Sequence, residues 1–99
     1  MFEIRFSAGV EEDLKKIKAF DLRKIFDEIE VQLKIEPLET TKKKKILESL
    51  IPPFEAILPI RELRVGEYRI FYDVDESNKV VFVRAIRRKP PHKTTEEII

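Results

Sequence analysis

The side chains able to do chemistry in this chain are mainly arginines. The sequence has no Cys, and His92 is its single His. A thiol nucleophile, a disulfide framework and a Cys/His metal cluster are therefore excluded. What remains is guanidinium chemistry. The stretch "RELRVGEYRIFYDVD" (61–75) sets Arg64 and Arg69 among strand-forming residues, and the run "RAIRRKPPHK" (84–93) carries Arg84, Arg88, Lys89, His92 and Lys93 with no acid. Arginine forks match phosphate oxygens in pairs, so the chemistry suggested is the clamping of a polyanion. His92 is the one group whose ordinary pKa lies near neutrality, as acid–base work requires. The plain alternative is solvated surface, with the arginines paired to acids.

Which alternative holds depends on the elements that carry these residues. At 99 residues the chain is expected to be one domain, 1–99. "FEIRFS" (2–7) alternates and reads as a strand, with Ser7 placed to cap the next element. Val10, Leu14 and Ile17 recur at helical spacing over 8–20, with Glu11, Glu12 and Asp13 where the helix dipole favours acids. Asp21 reads as a second N-cap, and Leu22, Ile25, Phe26, Ile29 and Leu33 form a strong amphipathic stripe ended by Pro37. Lys44–Leu47 suits a short strand or a turn. Three strands come next over 56–65, 68–74 and 79–87, with Gly66-Glu67 as a tight turn. "TTEEII" (94–99) suits a capped helical turn or a terminal strand. The order β-α-α-β-β-β, with a short C-terminal element, is an α+β fold: an antiparallel-rich sheet with a helical hairpin on one face.

Strand parity then sorts the faces. A two-residue turn at Gly66-Glu67 sets Arg64 opposite Arg69. Leu63, Val65, Tyr68, Ile70, Tyr72 and Val74 turn to the helices, with Val81, Val83 and Ala85. Glu62, Arg64, Arg69, Phe71, Asp73, Phe82, Arg84, Ile86 and Arg88 turn the other way, onto a face expected to be open. Like charges directly opposite cost up to about 1 kcal/mol, which a bound polyanion would offset. Phe71 on that face would stack a base.

With those residues placed, "ELRVGEYRIFYDVD" followed by "VVFVRAIRRK" resembles the RelE/ParE superfamily of toxins from type II toxin–antitoxin modules, as does the approach "EPLETTKKKK". The resemblance covers nearly the whole chain. It implies either a ribosome-dependent mRNA endonuclease or, in the ParE-like branch, an inhibitor of DNA gyrase; an inactive homologue that only binds its antitoxin is a further alternative. For the nuclease branch it implies that Arg69 acts at the scissile phosphate, that Arg88 or Lys89 supplies a second cation, and that Arg64 matches the Leu-Arg arginine. Arg84, Lys89, Lys93 and Phe71 would then contact RNA. The chain departs from the nuclease pattern where Ile60 and Glu62 stand in place of lysines, and where Thr95 falls near the place of a C-terminal tyrosine. His92 or Lys93 is the substitute acid–base group. The implied partner is an antitoxin, with ribosome and mRNA or gyrase as target.

No metal or cofactor is expected. The net charge of +1 excludes a generally basic nucleic-acid binder, so any such binding must be local. "MFEIRF" lacks a basic region followed by an apolar block, and no apolar run approaches a membrane span, so a cytoplasmic protein is expected.

Overall fold

The computed structural model describes residues 1–99. The chain runs β1 (Glu3–Phe6), α1 (Val10–Lys15), α2 (Ala19–Leu33), β2 (Lys44–Leu47), β3 (Ile60–Val65), β4 (Tyr68–Asp75), β5 (Val80–Arg88) and α3 (Thr95–Ile98). The five strands form one sheet in the order β1-β5-β4-β3-β2. Only β1 and β5 run parallel; the other pairs are antiparallel. This is the expected α+β fold, with the short-strand option realised at Lys44–Leu47.

The main core lies between the helices and one sheet face. Ile25, Ile29 and Leu33, one turn apart along α2, meet Leu63, Val65, Ile70, Tyr72, Val74, Val81, Val83 and Ile86. Each such buried side chain contributes roughly 1.5–3 kcal/mol of transfer free energy. Tyr72 is fully buried, and its hydroxyl donates to the Pro37 carbonyl at 2.8 Å. Lys44 is buried at the end of α2, where its Nζ donates to the carbonyls of Gln32 (3.1 Å) and Glu36 (2.6 Å). It thereby satisfies a carbonyl that the last helical turn leaves without a partner. One lysine of the "KKKK" run thus holds the fold together.

The helix ends differ from the sequence expectation. α1 stops at Lys15, and α2 begins after Lys18. Asp21 lies inside the first turn of α2 and accepts from the Tyr68 hydroxyl at 3.1 Å, so the sheet claims it rather than the helix end. Ser7 caps nothing with its side chain; its hydroxyl donates to the Arg84 carbonyl. The terminal segment is helical. Thr94 and Glu97 form a reciprocal capping box, which is what decides for helix over strand.

Two features of the sheet differ from the sequence expectation and bear on function. First, the second sheet face is covered. Ile60, Phe71 and Ala85 form a smaller core beneath Leu47, Leu50, Phe54, Ala56, Ile98 and Ile99. Second, β4 and β5 change register between Phe71 and Tyr72: Phe71 faces Ala85, Tyr72 faces Val83, and Arg84 is the extra residue. A bulge of this kind reverses parity beyond it. Ile86 therefore joins the helix-side core and Ala85 the opposite one.

Candidate functional site

The Gly66-Glu67 turn, with Gly66 at φ 56°, fixes the hairpin register. Glycine adopts this left-handed backbone at little cost. Val65 faces Tyr68 and Arg64 faces Arg69, as the sequence indicated. Across the next ladder Arg69 faces Arg87. Three arginines therefore stand in one row across β3, β4 and β5 at the hairpin end of the sheet. Two directly opposed like-charge pairs each cost up to about 1 kcal/mol unless something neutralises them.

The neutralisation is uneven. Arg69 is 8% exposed. Its Nη1 donates to the Gly66 and Tyr68 carbonyls, each at 2.9 Å, and its Nε lies 3.6 Å from Glu62 Oε1. Burial lowers the Arg69 pKa, the Glu62 carboxylate opposes that, and Arg64 adds to the lowering. A guanidinium nonetheless stays protonated. Glu62 is the hub of this end. It is buried, its Oε1 lies 3.9 Å from Lys45 Nζ, and its Oε2 accepts from the Thr95 hydroxyl at 2.9 Å. Through that last bond the sheet fixes the start of α3.

Arg87 forms an ion pair with Asp13 of α1, whose other oxygen accepts from the Ile86 amide at 3.0 Å. That amide lies beyond Val83, where β1 stops pairing, so Asp13 fills a vacant position on the edge of β5. Arg64 is exposed and makes no ion pair and no side-chain hydrogen bond. Within the row it is the cation left without a partner.

The remaining sequence candidates fall elsewhere. Phe71 is 0% exposed beneath the 48–59 segment and α3, so it presents no ring for stacking. Arg84 gives two hydrogen bonds to the buried Asp73, from Nε at 2.7 Å and Nη2 at 3.2 Å, and lies 4.6 Å over the Phe82 ring. Its fork is already occupied by a carboxylate. Arg88, carried across by the bulge, faces Tyr68 on the helix side, with its Nε 3.2 Å from Glu67. It does not share a face with Arg64 and Arg69. Lys89, half-buried, and the exposed His92 and Lys93 follow β5 in the linker before α3; Lys93 Nζ lies 3.8 Å from Glu97, and His92 has no partner.

Arg87 is the residue that simple strand parity misses. A trace of it exists in the sequence: in "VFVRAIRR" the apolar period of two breaks at Ala85-Ile86, as an extra residue in the strand requires. The end of the sheet thus sets Arg69 and Lys45 against the buried Glu62, with Arg64 opposite Arg69 and Arg87 held at the edge by Asp13. Such an arrangement can hold an anion against Arg64 and its neighbours. It supplies no acid–base group from the sheet itself.

The comparisons with known proteins agree with this fold. Residues 4–89 match the family described as the ParE toxin of the type II toxin–antitoxin system, parDE. The archaeal RelE–RelB complex from Pyrococcus horikoshii OT3 contains a chain with 21% identity and a TM-score of 0.69, the match covering 94% of this chain and 98% of that one. The RelBE2 toxin–antitoxin complex of Mycobacterium tuberculosis gives 23% identity and a TM-score of 0.63, covering 89% and 98%. The isolated RelE toxin of E. coli gives 18% and 0.51, covering 94% and 89%. No curated protein sequence matches the chain. At these identities the structures establish a shared fold, while the family match spans most of the chain. The chain belongs to the ParE toxin family of type II toxin–antitoxin systems, within the RelE/ParE superfamily.

Proposed function

We propose that this toxin arrests translation by cleaving mRNA on the ribosome, and that a cognate antitoxin holds it inactive. The observation that carries the reading is the row Arg64–Arg69–Arg87. Two opposed arginine pairs, one member of which has no counter-ion, are what a phosphate chain would relieve. In the reaction the ribose 2′-oxygen attacks the adjacent phosphorus and gives up its proton. The bond to the 5′-oxygen breaks, and that oxygen takes a proton. The products are a 2′,3′-cyclic phosphate and a 5′-hydroxyl. RNA supplies its own nucleophile, so the protein has only to align it and neutralise the charge that builds on phosphorus. Arg64 meets the phosphate directly, and Arg69 and Arg87 raise the local potential. His92 carries the proton, and Lys89 and Lys93 hold the flanking backbone. Arg84, Arg88 and Phe71 have no part in it.

A second reading has its own observation. The Arg69 fork is engaged by its own hairpin, and its Nε lies 3.6 Å from the buried Glu62 carboxylate, which would repel a phosphate there. A toxin that acts by binding DNA gyrase needs no acid–base group and tolerates both. Induction without antitoxin separates the readings. The nuclease reading expects amino-acid incorporation to collapse within minutes while plasmid supercoiling stays normal. Relaxed plasmid with incorporation initially intact would overturn it in favour of gyrase. Normal growth, with the antitoxin complex still forming, would leave a binding-only homologue.

A further inference from the structure

The outward side of α2 is the least explained surface of the molecule. Phe20 is 82% exposed and Val31 70% exposed, on a helix whose opposite side is fully packed. Between them lie Arg23, Lys24 and Asp27, which take part in none of the chain's ion pairs. Together with Glu28 they line a shallow groove along the helix. Positions 20, 24, 27 and 31 advance by four, three and four residues, the seam spacing of paired helices. The order along the seam is apolar, basic, acidic, apolar.

That order is its own complement when reversed. We propose that two copies of this chain associate through α2, antiparallel about a two-fold axis between residues 25 and 26. Phe20 then faces Val31 of the second copy, and Lys24 faces the second copy's Asp27. Each contact occurs twice by symmetry, as a two-fold interface requires. A second copy fits this stripe better than a partner of one charge. An acidic partner would meet Asp27 and Glu28, and a basic one would meet Arg23 and Lys24. Glu28 is already held by Lys43 at 3.1 Å and by Gln32, so the central layers rest on Lys24 and Asp27. A helix of this length is about 22 Å long at 1.5 Å per residue. The interface is therefore small, and the dimer is weak and reversible, in the micromolar range of dissociation constant or above. The inference is independent of which target the toxin attacks.

Sedimentation velocity of the purified chain over a rising concentration series tests it. The parent is expected to move from 11.8 kDa toward twice that mass. Asp27→Lys and Lys24→Asp each place like charges in a central layer and should weaken association by at least about 10-fold. The double variant restores opposite charges and should return to within about 3-fold of the parent. All four positions are exposed, so each variant should keep the circular dichroism and melting point of the parent. A parent that stays at 11.8 kDa at the highest concentration overturns the proposal, as does a double variant no better than the singles. A monomeric parent whose antitoxin complex is weakened by Asp27→Lys would overturn it too, and would assign the stripe to the antitoxin.

Discussion

The two ends of the covered sheet face treat arginine in opposite ways. At one end Arg84 meets Asp73, a fully buried carboxylate that also accepts from the Ile57 amide at 3.0 Å. Cation and anion are matched, and the amide is satisfied by the same group. At the other end Arg64, Arg69 and Arg87 stand in register, but only Arg69 lies against Glu62, while Asp13 holds Arg87 from the edge. The first end is built for stability. The second carries more positive charge than its own acids balance, and the surplus sits on Arg64. A sheet face rich in arginine is thus no signal by itself; what matters is which guanidinium has been left a free fork.

The largest effect is expected at the matched end. Asp73→Ala leaves the half-buried Arg84 without its carboxylate and the Ile57 amide without an acceptor. The expected loss is about 3–5 kcal/mol, read from denaturant midpoints. A loss below about 1 kcal/mol would show that the pair is not the anchor its geometry suggests. Next along the strand, Tyr72 sets the scale for a satisfied buried polar group. Burial pushes its pKa up to about 12 from the ordinary value of 10, tempered by Arg61. The folded state holds the hydroxyl proton more tightly than the unfolded state does. Its contribution is therefore complete below pH 10 and fades as pH rises through about 12. The amount at stake is about 2–3 kcal/mol, and Tyr72→Phe should flatten that alkaline decline in a pH series of melts.

At the unmatched end the expected effects are smaller. Arg69→Ala removes donors from two hairpin carbonyls and a neighbour from Glu62, at a cost of about 1–3 kcal/mol. Lost toxicity in that variant would mix folding with function. Arg64→Ala touches none of the chain's own polar groups, so its stability should change by less than about 0.5 kcal/mol or rise slightly. A clear destabilisation by Arg64→Ala would mean that Arg64 has an internal partner, and the contrast between the two ends would fail.

How much of this was legible depends on where the information resides. The hairpin register was readable, because Gly66-Glu67 fixes it locally and Arg64 must then oppose Arg69. The amphipathic stripe of α2 was readable for the same reason: period and burial coincide at Ile25, Ile29 and Leu33. The β4–β5 bulge was not readable by simple alternation. One extra residue at Arg84 exchanges the faces of everything after it, which moved Arg88 off the site and brought Arg87 in. The cover over Phe71 was hidden too. It is assembled from Leu50, Phe54, Ile98 and Ile99, residues far apart in sequence whose short, irregular segments carry no period. The partners of Asp21 and Ser7 went astray because a cap residue and a tertiary hydrogen-bonding group look alike in sequence.

On the proposed function, the surplus charge at the hairpin end acts on a phosphate chain, with Arg64 as the group that meets it. The most direct test is a reconstituted translation reaction with an end-labelled transcript on the ribosome, comparing the parent with Arg64→Ala at equal folded concentration. The parent is expected to cut the ribosome-bound transcript, leaving a 2′,3′-cyclic phosphate and a 5′-hydroxyl, and Arg64→Ala to slow the cut by about 100-fold, in keeping with the loss of one charge-stabilising donor. Cleavage by Arg64→Ala at the parental rate, or no cleavage by a correctly folded parent, would contradict it.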